Sequence, residues 1–107
     1  MYRVTTPIHT FTLPIDTATC KEIQVTYKQS KNELIKHYQD GVIPAGMTLS
    51  GKDVIIKLTQ EETKAFTTGY GVNAQIRVLT TDNEVYASQI FTVVVEDVLN
   101  EEILADE

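Results

Sequence analysis

The chain has 107 residues, 42% hydrophobic and 22% charged, a globular balance with room for one domain. Its net charge of −6 lies entirely at the C-terminal end: residues 1–95 carry nine acids and nine bases, residues 96–107 six acids and no base. That distribution excludes a basic stripe for nucleic acid or for an anionic membrane surface, and the single cysteine, Cys20, excludes an intrachain disulfide.

Fifteen residues are Thr, and with frequent Val and Ile this favours strands, because β-branched side chains pack well on a pleated surface. Residues 8–13 alternate, with His9, Phe11 and Leu13 on one face, and Pro14 ends the run. Residues 21–29 are the clearest amphipathic strand, with Ile23, Val25 and Tyr27 inward. A turn at Ser30, Lys31 and Asn32 leads to a hairpin partner over 33–38, and Gln39, Asp40 and Gly41 form the next turn. Met47 and Leu49 mark a short strand. A tight turn at 50–53 follows, then the apolar strand 54–58.

The period then changes. Thr59 followed by Glu62 is a capping box, which predicts two turns of helix over 60–66 with Ala65 and Phe66 facing the core. Residues 72–80 alternate again, with Val72, Ala74, Ile76 and Val78 inward, and residues 81–84 make a hairpin turn. Residues 85–97 read as one last long strand, and the valines at 93–95 suggest burial on both faces.

This pattern predicts an all-β fold: a seven-stranded antiparallel immunoglobulin-like sandwich with one short helix between strands five and six. Residues 1–97 form the sandwich and residues 98–107 an acidic amphipathic tail. Open sheet edges on a body of zero net charge predict a homo-oligomer or an edge-mediated contact.

No pattern of catalytic or metal-binding residues emerges, so no catalytic, cofactor or metal residue is assigned. His9 reads as a hydrogen-bonded histidine at the core edge, His37 as a solvated one, and Cys20 as a small half-buried residue at a strand start. Gly69-Tyr70-Gly71 precedes no helix, so it ends one rather than cradling phosphate. Glu61 and Glu62 serve the helix N-terminus, and Asp82, Asn83 and Glu84 a hairpin turn rather than calcium. Tyr27, Tyr38 and Tyr86 fall in strands, where core and surface places are both open to them.

Leu58 to Thr63, then Phe66, Gly69 and Gln75 to Val78, together with the opening stretch Ile8 to Pro14, resemble small proteins encoded in phages and prophages of Gram-positive bacteria. The N-terminal immunoglobulin-like module of phage baseplate upper proteins is similar. The resemblance transfers no catalytic residue. It implies a structural or adaptor role in a virion, in the tail or baseplate, with other phage structural proteins or a second copy as partners. A stand-alone module for a carbohydrate or a host protein is the alternative.

The first residues lack the basic start and apolar run of a secretion signal, and no stretch approaches the roughly 18 apolar residues of a membrane span. The expectation is a soluble protein of the bacterial cytoplasm during assembly. In the tail, Ile103 and Leu104 follow Leu99 at helical spacing, which predicts one or two amphipathic turns. Leu99, Glu101, Glu102, Ile103 and Leu104 are the candidate partner-docking residues, seated on the chain's own sandwich or in a groove with a basic rim on a partner. A disordered tail is the third alternative.

Overall fold

Period-two alternation and turn chemistry dictate most of the architecture. In a computed structural model describing residues 1–88 and 90–104, eight strands form two antiparallel sheets, with one short α-helix and one 3₁₀ turn. The strands are β1 (Ile8–Thr12), β2 (Cys20–Gln29), β3 (Asn32–Gln39), β4 (Met47–Ser50), β5 (Asp53–Lys57), β6 (Gly71–Thr80), β7 (Val85–Ala87) and β8 (Phe91–Val94). Helix α1 spans Gln60–Lys64, and the 3₁₀ turn Thr17–Thr19 precedes β2. One sheet has the order β1-β5-β4; the other runs β3-β2-β6, with β7 and β8 both on the far side of β6.

The core lies between these sheets. Ile23, Val25 and Tyr27 from β2 and Val72, Ala74, Ile76 and Val78 from β6 face Met47, Val54, Ile56 and Leu58, all buried. His9 and Phe11 pair in register with Ile56 and Val54 and share their inward face. The inward residues expected for the second and sixth strands are thus the ones the fold buries. The turns fit as well: Ser30, Asp40 and Asn83 all take positive φ. Gly46 also needs its freedom: φ is +84°, and a Cβ there would stand 2.4 Å from the Lys57 carbonyl oxygen.

Three expectations are corrected. The sandwich has eight described strands, not seven, because residues 85–97 do not run as one strand. Val78 pairs with Tyr86, whereas Ala74 pairs with Phe91, so one extra residue enters between the two pieces. This is the register step of a β-bulge, and it returns Phe91, Val93 and Val95 to the face that Tyr86 occupies. Val94 points outward and is 57% exposed while Val95 is buried, so the valines at 93–95 are buried on one face only. Gln89 lies outside the described residues.

The helix is shorter than expected. It ends at Lys64 and leaves Ala65 exposed; Phe66 faces inward as expected, together with Gln60 and Thr63. Its capping box is complete: Glu62 N–H donates to Thr59 Oγ1 at 3.1 Å, and Thr59 N–H to Glu62 Oε1 at 2.8 Å.

Third, the tail is not helical where it is described. Residues 98–104 form no regular secondary structure, with a bend at Leu99. Short polar side chains favour this locally, as Asn100 Oδ1 accepts the Glu102 N–H at 2.9 Å. The charged ends Asp106 and Glu107, with Ala105, lie outside the described residues.

Candidate functional site: an open apolar cleft between the sheets

The two sheets do not close on one flank. Edge strand β1 and the β7–β8 edge face each other across a cleft, and no described strand pairs with either outer edge over most of its length. Phe11 from one sheet meets Phe91 from the other, ring centroids 6.1 Å apart and tilted 54°. This pair divides the cleft into two compartments that follow one another along β1, of about 340 and 310 Å³. Leu13, Ile15 and Ile76 line the larger one, with Tyr86; Ile8, Ala74 and Val93 line the smaller.

The bulge builds this site. Without its extra residue, Tyr86 and Phe91 would point to opposite faces; with it, both face the cleft. Tyr86 and Phe91 remain 47% exposed, and Ile90 and Ile8 more than 60%. Half-exposed aromatics clustered beside free sheet edges mark a contact surface more than scattered apolar residues would.

Both walls are uncharged. Residues 4–15 and 85–95 contain no Asp, Glu, Lys or Arg. At the floor of the smaller compartment, His9 Nδ1 and the Tyr27 hydroxyl share a 2.7 Å hydrogen bond that ties the two sheets together. Burial lowers the His9 pKa below its usual 6.5, and the N-terminal ammonium pushes the same way. The Tyr27 hydroxyl is raised, by burial first and then by the Glu62 carboxylate.

The opposite flank is bridged by charge. Lys36 on β3 turns inward and its ammonium lies 2.6 Å from Glu62 Oε2, with side-chain exposures of only 9% and 19%. Glu62 therefore serves twice, capping α1 and neutralising a buried lysine. His37 stays on the surface beside Glu22, at 2.8 Å. Cys20 opens β2 and is buried, which raises its thiol pKa.

The residues named for docking in the tail differ in exposure and in partners. Glu101 pairs with Arg3, whose Nη2 also donates to the Lys64 carbonyl at 2.7 Å. Leu104 bonds through its main chain: its N–H donates to Gln60 Oε1 at 2.8 Å, and its carbonyl accepts from Gln60 Nε2 at 3.0 Å. Ile103 is half-buried, while Leu99, Leu104 and Glu102 have exposed side chains. The described tail is seated on its own domain through Gln60 and Arg3.

Sequence reasoning missed the cleft because the expected single last strand hid the bulge. The available signal was the pair of uncharged stretches, 4–15 and 85–95, in strands that end up at sheet edges. Among the described residues no group of three or more His, Cys, Asp or Glu is placed to hold a metal ion, and no helix is long and apolar enough to cross a membrane. No family model, no curated protein and no solved structure matches this chain.

Proposed function

We propose that this protein is a non-enzymatic structural or adaptor module that acts through protein–protein contacts in a phage or prophage particle. The observation that carries the contact reading is the open flank: an apolar cleft of about 340 Å³ beside two sheet edges that are uncharged and unpaired over most of their length. The virion setting is supported by the resemblance of Leu58 to Val78 and Ile8 to Pro14 to phage modules. The cleft walls offer few polar side chains, chiefly Thr10, Thr12 and Ser88. A sugar buried there would leave hydroxyls unpaired, so the cleft favours a polypeptide over a carbohydrate.

We read the sandwich as immunoglobulin-like. In such folds one sheet has the strand order ABED, and the other carries C, F and G with additions beside C. Assigning β1, β5 and β4 to B, E and D, and β3, β2, β6 and β7–β8 to the second sheet, reproduces both orders. Strand A is then reduced to the parallel bridge of Tyr2 with Glu96, and α1 occupies the E-to-F corner.

Particles purified from a strain that carries the gene test this function. Mass spectrometry should find the chain in them, and deleting the gene should stop particle assembly while leaving cell growth unchanged. Fully infectious particles formed without the chain would overturn the virion role.

A further inference from the structure

We propose that the cleft between β1 and β7–β8 receives an extended, uncharged strand donated by a different polypeptide. This rests on the contact reading above and states what the partner must offer.

The main chain on both walls is prepared for pairing. Leu13 N–H donates to the Lys52 carbonyl and Leu58 N–H to the Pro7 carbonyl, so odd-numbered residues of β1 bond to β5. Antiparallel alternation then turns the N–H and C=O groups of Ile8, Thr10 and Thr12 to the free side. On the other wall, Ser88 N–H donates to Ile76 and Thr80 N–H to Glu84. The same alternation leaves Val85 and Ala87 outward. This edge accepts strands, for it already holds one at its lower end: the N-terminal ammonium donates to the Val94 carbonyl, Glu96 N–H to Met1, and Arg3 N–H to Glu96. Above that point the pairing stops.

The side chains also select an extended segment. The two compartments lie in succession along β1, on either side of Phe11 and Phe91, as alternate residues of an added strand would require. With no Asp, Glu, Lys or Arg in residues 4–15 or 85–95, a charged side chain seated between the walls would be desolvated with no charged side chain of either wall to meet it; the N-terminal ammonium, bound to the Val94 carbonyl, stands only at the lower end. The occupant is therefore uncharged, with apolar residues at every second position.

This chain cannot supply that segment to a second copy. Residues 1–5 are pinned by their bonds to Val94 and Glu96, by buried Val4 and by two hydrogen bonds between Thr5 and Thr63. Residues 96–107 carry six acids. The other uncharged stretches are built into the sheets or, at 41–46 and 65–70, held in short turned connections by main-chain bonds such as Val42 N–H to the Gln39 carbonyl, Met47 N–H to Pro44 and Gly69 N–H to Val95.

Amide hydrogen exchange on the full-length protein tests the proposal, with two capped synthetic heptapeptides as probes. One alternates Val and Thr; in the other, Glu replaces Val. The Thr10, Thr12, Val85 and Ala87 amides should exchange fast in the free protein. The Val-Thr peptide should slow them about tenfold or more, and the Glu peptide should not. Phe91→Ser removes the wall between the compartments and should abolish the protection. Thr10→Lys places a charge at an exposed position on the rim, and should abolish protection while leaving the thermal midpoint unchanged. No protection at about 1 mM Val-Thr peptide overturns the proposal. So does protection that grows with the protein's own concentration in the absence of peptide, since that assigns the edge to a second copy. Either result removes the donated strand and leaves the virion test above to judge the adaptor role separately.

Discussion

On one flank of the sandwich, β3 is tied to the α1 region by Lys36 on Glu62 and by Asn32 Nδ2 donating to the Ala65 carbonyl, with Phe66 buried beneath. On the other, β1 and β7–β8 stand apart, and Phe91 meets Phe11 in a cleft open to solvent. The charged flank is bridged by an ion pair, and the uncharged flank carries no such bridge. An inward lysine with its carboxylate partner guards an edge. An edge with no charge has no such protection, and its apolar side chains become available to a partner.

The largest effect expected from breaking this contrast comes from two phenylalanines. Phe66→Ala should cost about 3–5 kcal/mol, because its side chain is fully enclosed. Phe91→Ala should cost only about 1 kcal/mol, because half of it already faces water. Denaturant unfolding of both variants checks the comparison, and equal losses would show that the two flanks are packed alike.

Breaking the charged flank at its ion pair comes next. Lys36→Ala should cost roughly 3 kcal/mol by leaving Glu62 without its counter-ion in a largely buried place. The double change of Lys36→Met with Glu62→Gln should recover most of that loss. If the double variant is as unstable as the single one, the charge is not what matters there.

Removing residues 98–107 should lower stability by about 1–2 kcal/mol, since Gln60 loses both main-chain partners at Leu104 and Arg3 loses Glu101. Calorimetry on the truncated monomer reads this directly. An unchanged midpoint would mean that the tail's seat contributes nothing to the fold.

The smallest effect belongs to the open flank and to acid. His9 has a lowered pKa in the folded protein, so below its unfolded value of 6.5 the unfolded chain binds more protons. The stability it contributes is whole above pH 6.5. It falls with pH below that value and levels off once the folded His9 also protonates. His9→Gln should flatten that part of the profile of thermal midpoint against pH. A profile with the same acid slope in the variant would assign the slope to other groups.

Much of this was legible in the chain itself. Alternation at Ile23, Val25 and Tyr27 and at Val72 to Val78 declared its own inward face, because a strand's period is two whatever it packs against. The capping box at Thr59 and Glu62 and the positive-φ turns at Ser30, Asp40 and Asn83 are local chemistry, complete within four residues. Tertiary structure decided the rest. The bulge between Ala87 and Phe91 depends on where β6 places its partners, and only that register turns Tyr86 and Phe91 to the same side. Lys36 looked like any strand lysine until the fold set Glu62 beside it. The tail carried a helical spacing, but an isolated short helix is unstable in water, and Gln60 offers the Leu104 main chain both a donor and an acceptor. The cleft is a gap between two edges 70 or more residues apart in the chain, and sequence periodicity, which is local, carries no record of which edges meet.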